Sequence, residues 1–167
     1  EIEKLKSFLQ KIGILSKINF DIEEVGVPIP FRWGKCKLAT VSFGHGITTT
    51  PLQLAKAYGI IVNGGFEIQP SVIKKNSENN QNQKRIIKKG VSEQINKILR
   101  KIVTTEEGTA GFANIKGYEV GGKTGTAEKA IVGGYTRKAK VNTFASIFPT
   151  SKPKYVMIVL LDEPKTS

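Results

Sequence analysis

The chain is 167 residues long, 39% apolar, with 17 glycines and a net charge of +12; this suits one domain with its own core and excludes a fibrous or disordered chain. Its single cysteine, Cys36, excludes an internal disulfide, and no apolar run reaches membrane length. The basic residues are scattered without a nucleic-acid-binding motif, so the charge points to a solvated lysine-rich surface or to attraction towards an anionic polymer or membrane, and no nucleic-acid partner is expected.

Ile2, Leu5, Phe8, Leu9 and Ile12 recur at helical spacing, and Gly13 is a suitable stop. From Ile14 to Phe31, the residues Gly26, Pro28 and Pro30 predict a loop. Trp33, the only tryptophan, reads as a packing residue. The only histidine, His45, lies between Gly44 and Gly46. That predicts a tight turn and a structural imidazole, because no Ser–Asp arrangement is there to orient a catalytic one. Thr50-Pro51-Leu52-Gln53 predicts a helix start: Thr50 caps, Pro51 fills the first turn, and Gln53 reaches back as in a capping box. This helix should run to about Val62 and end on Asn63-Gly64-Gly65. Its small residues Ala55, Ala57 and Gly59 permit close packing against a sheet.

Phe66 to Ile73 reads as extended. Lys74 to Lys84 has no apolar residue and cannot order itself by burial, so a flexible polar insert is expected over 74–84. Arg85 to Lys88 should return as a short strand. Ser92 should then cap a helix with Ile95, Ile98, Leu99 and Ile102 on one face. Gly108 to Gly111 reads as a turn or short helix, and Gly133-Gly134 as a turn. Asn142 to Phe148 alternates as a strand, with Thr143, Ala145 and Ile147 on one face and Phe144, Ser146 and Phe148 on the other. After a loop from Pro149 to Pro153, Tyr155 to Leu161 is apolar on both faces, which suits a central strand with a neighbour on each edge. Helices followed by antiparallel strands predict an α+β layer fold.

Gly121-Gly122-Lys123-Thr124-Gly125-Thr126 is where the chemistry concentrates. One reading is a phosphate loop, since Gly117 to Thr124 matches G-x-x-x-x-G-K-[ST] and Val156 to Glu163 resembles the acidic-ended strand that accompanies such loops. That mechanism needs a buried strand before the loop and a helix after it, whose N-terminal amides hold phosphate. Neither pattern flanks this stretch. The other reading is a Lys-Thr-Gly edge strand beside an acyl-transfer site. There a lysine, two hydroxyls and exposed backbone N–H groups suit an anionic acyl substrate, and glycine lets a ligand backbone approach. Taken alone, Lys-Thr-Gly reads first as a surface hairpin with a solvated lysine.

The surrounding residues decide. Phe43-Gly44-His45-Gly46-Ile47, Thr48-Thr49-Thr50-Pro51-Leu52-Gln53-Leu54-Ala55, Asn63-Gly64-Gly65, Pro70, Val103-Thr104, Gly108-Thr109-Ala110, Val120 to Ala127, Phe144-Ala145 and Asp162-Glu163-Pro164-Lys165 occur in that order. Together they resemble the C-terminal half of the transpeptidase domain of class B penicillin-binding proteins, of the cell-division type. The resemblance implies an α+β fold of the penicillin-binding protein and serine β-lactamase kind, an antiparallel sheet with packed helices. Residues 1–167 would be the C-terminal portion of one transpeptidase domain, truncated at both ends.

By the same resemblance, a Ser-x-x-Lys nucleophile and a Ser-x-Asn face Lys-Thr-Gly across a cleft. Ser71-Val72-Ile73-Lys74 and Ser151-Lys152-Pro153-Lys154 fit the first motif, and Ser77-Glu78-Asn79 fits the second. The first follows Pro70 and runs into the polar tract, the second is a proline loop placed after Lys-Thr-Gly, and the third lies inside the polar tract. The true motifs are therefore expected before Glu1, and the chain alone is expected to be inactive. Lys123 would hold the carboxylate of a stem peptide or β-lactam, with the hydroxyls of Thr124 and Thr126. Gly125 would let the substrate lie on the strand, and the Thr126 backbone N–H would donate to the oxyanion. The implied partners are D-Ala-D-Ala stem peptides, β-lactams and cell-division membrane proteins, with no cofactor or metal. The implied location is the extracytoplasmic side of the inner membrane. A non-catalytic β-lactam-sensing or degenerate binding module of the same fold is the alternative from another functional class.

Overall fold

The computed structural model describes residues 1–23, 25–29, 32–74, 83–131 and 134–165. It divides into two units, Glu1–Ser92 and Glu93–Ser167.

In the first unit, α1 (Ile2–Lys11) ends where Gly13 turns the chain at φ +86. That turn buries Ile12 and Ile14 with Ala57, Ile60 and Ile87 in one apolar cluster. A second helix, α2 (Lys35–Ser42), follows an extended Gly34; it has no apolar stripe and the sequence reading missed it. Beyond it the His45 turn forms as expected. Gly44 and Gly46 take φ +84 and +73, and the His45 N–H donates to the Thr40 carbonyl at 3.0 Å.

The third helix, α3 (Pro51–Val62), starts on the expected capping box. The Gln53 N–H donates to the Thr50 hydroxyl at 3.1 Å, and the Thr50 N–H donates to Gln53 Oε1 at 2.8 Å. Such caps are worth about 1 kcal/mol. Gln53 also has a role that its position in a cap does not announce. Its side chain is fully buried, and Nε2 donates to the carbonyls of Ile14 and Ser16 at 3.2 and 2.9 Å. One amide thus ties the start of α3 to the segment after α1. At the other end, Asn63 Oδ1 accepts the N–H groups of Gly65 and Phe66, and Gly64 and Gly65 are left-handed. Glycine is obligatory at 65, where a Cβ would stand 1.9 Å from the Ile87 carbonyl oxygen. Gly59 makes its close approach inside this unit to Ile68, where a Cβ would stand 2.8 Å from Cδ1; Ile68 is not in a strand, so this contact is not the expected packing against a sheet.

Two expected strands shrink to one contact. Phe66 and Arg85 form a single antiparallel bridge, because the Gly65 carbonyl accepts the N–H groups of both Ile86 and Ile87 and turns the chain inward. Residues 75–82 of the polar insert, with the Ser77-Glu78-Asn79 match, lie outside the described residues, as does Gly133.

The helix expected from Ser92 begins earlier, as α4 (Lys89–Thr104). Ser92 is therefore no cap. It is buried within the first turn, and its hydroxyl accepts the Gly64 N–H at 3.0 Å. The buried stripe is Ser92, Asn96, Leu99 and Val103, while Ile98 is 55% exposed. Polar residues with partners occupy a face that an apolar count assigns one position away.

In the second unit a short 3₁₀ turn (Gly111–Ala113) leads to β1 (Gly121–Ile131), β2 (Gly134–Phe148) and β3 (Tyr155–Asp162). The sheet is antiparallel in the order β1-β2-β3. Lys123 is opposite Ala145, itself opposite Ile158; Thr124, Phe144 and Val159 form the next row. Ala145, Ser146 and Ile147 are buried, so β2 is covered on both faces at this end. Among the described residues β3 pairs only with β2, although its composition suits a central strand. Tyr155, Met157, Val159, Leu160 and Leu161 are all exposed.

Candidate acyl-substrate site on the Lys-Thr-Gly strand

Lys123, Thr124, Gly125 and Thr126 are consecutive residues of β1, on the outer border of the described sheet. An edge strand carries a row of backbone groups available to a ligand laid alongside it. This geometry also disposes of the phosphate loop: Lys123 lies inside a strand that continues to Ile131, so no helix N-terminus follows it.

The glycines of β1 differ in what requires them. At Gly121 a Cβ would come within 2.5 Å of Thr150 Cγ2 and 3.0 Å of the Arg100 backbone nitrogen. At Gly122 it would strike the Phe144 ring at 2.7 Å. These two glycines are demanded by packing. Gly125 has only the Thr143 carbonyl oxygen, at 4.0 Å. Nothing in the described unit requires a glycine there, and its φ is not left-handed.

The polar groups are poised at low cost. Lys123 is exposed, and its Nζ donates to the carbonyl of Thr124 at 2.7 Å. A local bond of this kind is worth about 1 kcal/mol, so the ammonium can exchange it for a stronger acceptor. The hydroxyls of Thr124 and Thr109 are hydrogen-bonded at 3.0 Å. Thr109, which the sequence pattern places only within Gly108-Thr109-Ala110, is thereby brought against the Lys-Thr-Gly stretch. Thr126 is exposed on the same face as Thr124, two residues along.

At the start of β1, Glu119 takes φ +38. Its carboxylate accepts the Ser151 hydroxyl at 2.5 Å and the Ser151 N–H at 3.2 Å. Those two bonds, the hydroxyl first and with a smaller part from the Arg100 charge, hold the carboxyl below the usual range. At the far end, Lys129 follows a bulge after Glu128 and pairs with Asp162 at 3.0 Å and Glu163 at 2.7 Å. These acceptors push the Lys129 ammonium up.

The in-chain serine matches find other employment. Ser71 donates to Asp21 Oδ2 at 2.6 Å and to the Ile73 carbonyl, outside any helix. Ser151 serves Glu119. Among the described residues no cluster of His, Cys, Asp and Glu could hold a metal, and no helix is long and apolar enough to cross a membrane.

The family model for the penicillin binding protein transpeptidase domain matches residues 1–167. A probable peptidoglycan D,D-transpeptidase FtsI of Caulobacter vibrioides is 34% identical over 98% of this chain, which spans 29% of that relative. The transpeptidase domain of penicillin-binding protein 3 from Burkholderia pseudomallei superposes with a TM-score of 0.91 at 27% identity, over 99% of this chain and 51% of that one. Penicillin-binding protein 3 of Mycobacterium tuberculosis, complexed with aztreonam, gives 0.86 at 26% identity, over 97% of this chain and 40% of that one. The chain spans about half of the first of these structures and less than a third of the curated relative. With its sheet order, its Lys-Thr-Gly edge strand and a match along its whole length, this chain belongs to the penicillin-binding protein transpeptidase family.

Proposed function

We propose that the chain is the portion of a serine D,D-transpeptidase that lays the Lys-Thr-Gly strand against its substrate. The observation that carries this is Gly125, a glycine on an open edge that no packing contact within its unit requires. Glycine at such a position admits a ligand backbone. In this reading Lys123 holds the substrate carboxylate by a charge-assisted bond. Hydroxyl hydrogens rotate, so Thr109 can donate to Thr124 and leave Thr124 to donate to the same carboxylate, with the Thr126 hydroxyl beside it. The Thr126 backbone N–H supplies one oxyanion donor.

The nucleophile is a serine from a part of the domain outside Glu1–Ser167. Its Oγ attacks the carbonyl of the penultimate D-Ala, the terminal D-Ala leaves as an amine with the serine proton, and an amine on a second stem peptide then displaces the serine. A β-lactam enters the same first step, and the aztreonam complex of the Mycobacterium protein supports that ligand class. The name of the Caulobacter relative, a probable peptidoglycan D,D-transpeptidase, supports a role in cell-wall synthesis; in this reading the domain works on the extracytoplasmic side of the membrane, beside cell-division proteins.

Labelling with a fluorescent penicillin tests the reading. The protein containing this chain should be acylated on a serine outside residues 1–167. Gly125→Ala should slow that acylation by roughly tenfold or more, as expected when a reactant is held off its position. Its thermal midpoint should hold or rise slightly, because alanine restricts the unfolded chain. An adduct on Ser71 or Ser151, or an undiminished rate in Gly125→Ala, would defeat the proposal.

A further inference from the structure

We propose that Glu119 is a positioning residue for the Lys-Thr-Gly strand, pinned by Ser151 so that β1 starts at a set height beside α4. The proposal rests on the reading of β1 as the ligand-bearing strand. Glu119 is one of two non-glycine residues with a left-handed backbone among those described. Such a conformation persists where surrounding contacts over-determine it, and here they can be named. The carboxylate accepts both donors of Ser151. The Glu119 carbonyl accepts the Thr150 N–H at 3.0 Å. One residue on, the Val120 carbonyl accepts Arg100 Nη1 at 2.7 Å, and Arg100 Nη2 donates to Asn114 Oδ1 at 3.2 Å. Residues 119 and 120 are thus gripped from the β2–β3 loop and from α4.

The grip matters because the next two residues have no side chains to hold them. Gly121 runs against the backbone of Leu99 and Arg100 with no room for a Cβ. A strand that passes a helix backbone to backbone has no knob to fix its sliding, so the bonds just ahead of it set its position. Glu119 lies four residues before Lys123, about 13 Å at roughly 3.3 Å per residue. It cannot touch a substrate held by Lys123 and acts only through the strand. Ser151, the serine of a Ser-x-x-Lys match, thereby gains a use that needs no acylation. Lys97 and Arg100 of α4 line the same open hollow as Glu119, Thr150 and Ser151, so the carboxylate faces cations there.

The test uses the full protein that contains this chain, and reads the second-order rate of acylation by a fluorescent penicillin beside the thermal midpoint. Glu119→Ala should slow acylation by roughly tenfold, short of the ~100-fold that a 1 Å misplacement can cost. Glu119→Gln should stay within about twofold of wild type, because an amide oxygen accepts the same two donors. Glu119→Gly keeps the backbone at ease and guards against misfolding; it should lose rate like alanine while its midpoint holds. Glu119→Ala with Ser151→Ala should be no slower than Glu119→Ala alone, as for two residues acting as a unit. Wild-type rates in both Glu119→Ala and Glu119→Gly, with Lys123→Ala at least roughly 100-fold slower in the same assay, would overturn the inference alone. Additive losses in the double variant would also overturn it. A wild-type rate in Lys123→Ala would remove the reading of β1 as well.

Discussion

The two borders of the described sheet are made differently. β1 opens on Gly121 to Thr126, all glycine, lysine and threonine, and shows no large exposed apolar side chain among those described. β3 is an uninterrupted apolar run, yet five of its large side chains stand exposed: Tyr155, Met157, Val159, Leu160 and Leu161. A border of small and polar residues is stable in water and open to a ligand that comes and goes. An apolar border is a template for another strand and a liability until covered. Both hang on one strand between them. β2 carries their register, and its fully buried Ile147 is opposite Gly121 on one side and Val156 on the other.

That dependence suggests the largest effect. Ile147→Ala should cost about 2–5 kcal/mol, the usual range for emptying a core site, and should loosen both borders together. Denaturant unfolding measures it, and a loss below about 1 kcal/mol would mean β2 is not the shared support. Lys123→Ala sharpens the contrast from the β1 side. It should slow β-lactam acylation of the full protein by roughly two orders of magnitude, the scale of a charge-assisted contact made to the transition state. Its stability should barely move, since the side chain is exposed. Near-normal acylation would make it an ordinary surface lysine. From the β3 side, the isolated 167-residue chain should self-associate, as seen by light scattering. Val159→Lys, a charge on that border, should reduce the association. A stable monomer at tens of micromolar, with slow amide exchange along β3, would break the comparison.

The smallest effect concerns an ion-pair cluster that joins the two borders, Lys129 with Asp162 and Glu163. The Lys129 ammonium titrates higher when folded, chiefly because Glu163 and then Asp162 accept from it. The contribution is therefore complete below the ordinary lysine value and fades as pH rises through the raised folded value. Glu119 has the opposite sign. Its carboxyl titrates lower when folded because of Ser151, so its contribution is complete above the ordinary carboxylate range and fades as pH falls through the depressed value. Both groups are exposed, so the effects should be slight. Lys129→Met should flatten the alkaline decline of the thermal midpoint; an unchanged alkaline limb would contradict the assignment.

Much of this architecture was legible because it is written in short intervals. The Thr50–Gln53 capping box, the Gly13 and Gly64-Gly65 stops and the His45 turn all close bonds over a few residues. The alternating strands and their order follow from period and adjacency, and the Lys-Thr-Gly stretch was recognisable in its context. The reading faltered where polar residues are buried. Ser92 looks like a cap and is an interior acceptor for Gly64, and Asn96 takes a place on the stripe where an apolar count would put isoleucine. α2 lacks the period that announces a helix.

Local hydrogen bonding and apolar period make the fold class, the stretch that meets the ligand in the proposed reading and most of the elements other than α2 legible from the residues alone. Which side chains join distant segments follows from the packed fold. Gln53 reaches Ile14 across 39 positions, Ser92 reaches Gly64 across 28, and Glu119 reaches Ser151 across 32. It also separated Gly121 and Gly122, required by Thr150 and Phe144, from Gly125, which no neighbour requires. The reason is physical: a glycine looks the same in sequence whether the missing Cβ makes room for the protein itself or for something else, and only the packed neighbours tell the two apart.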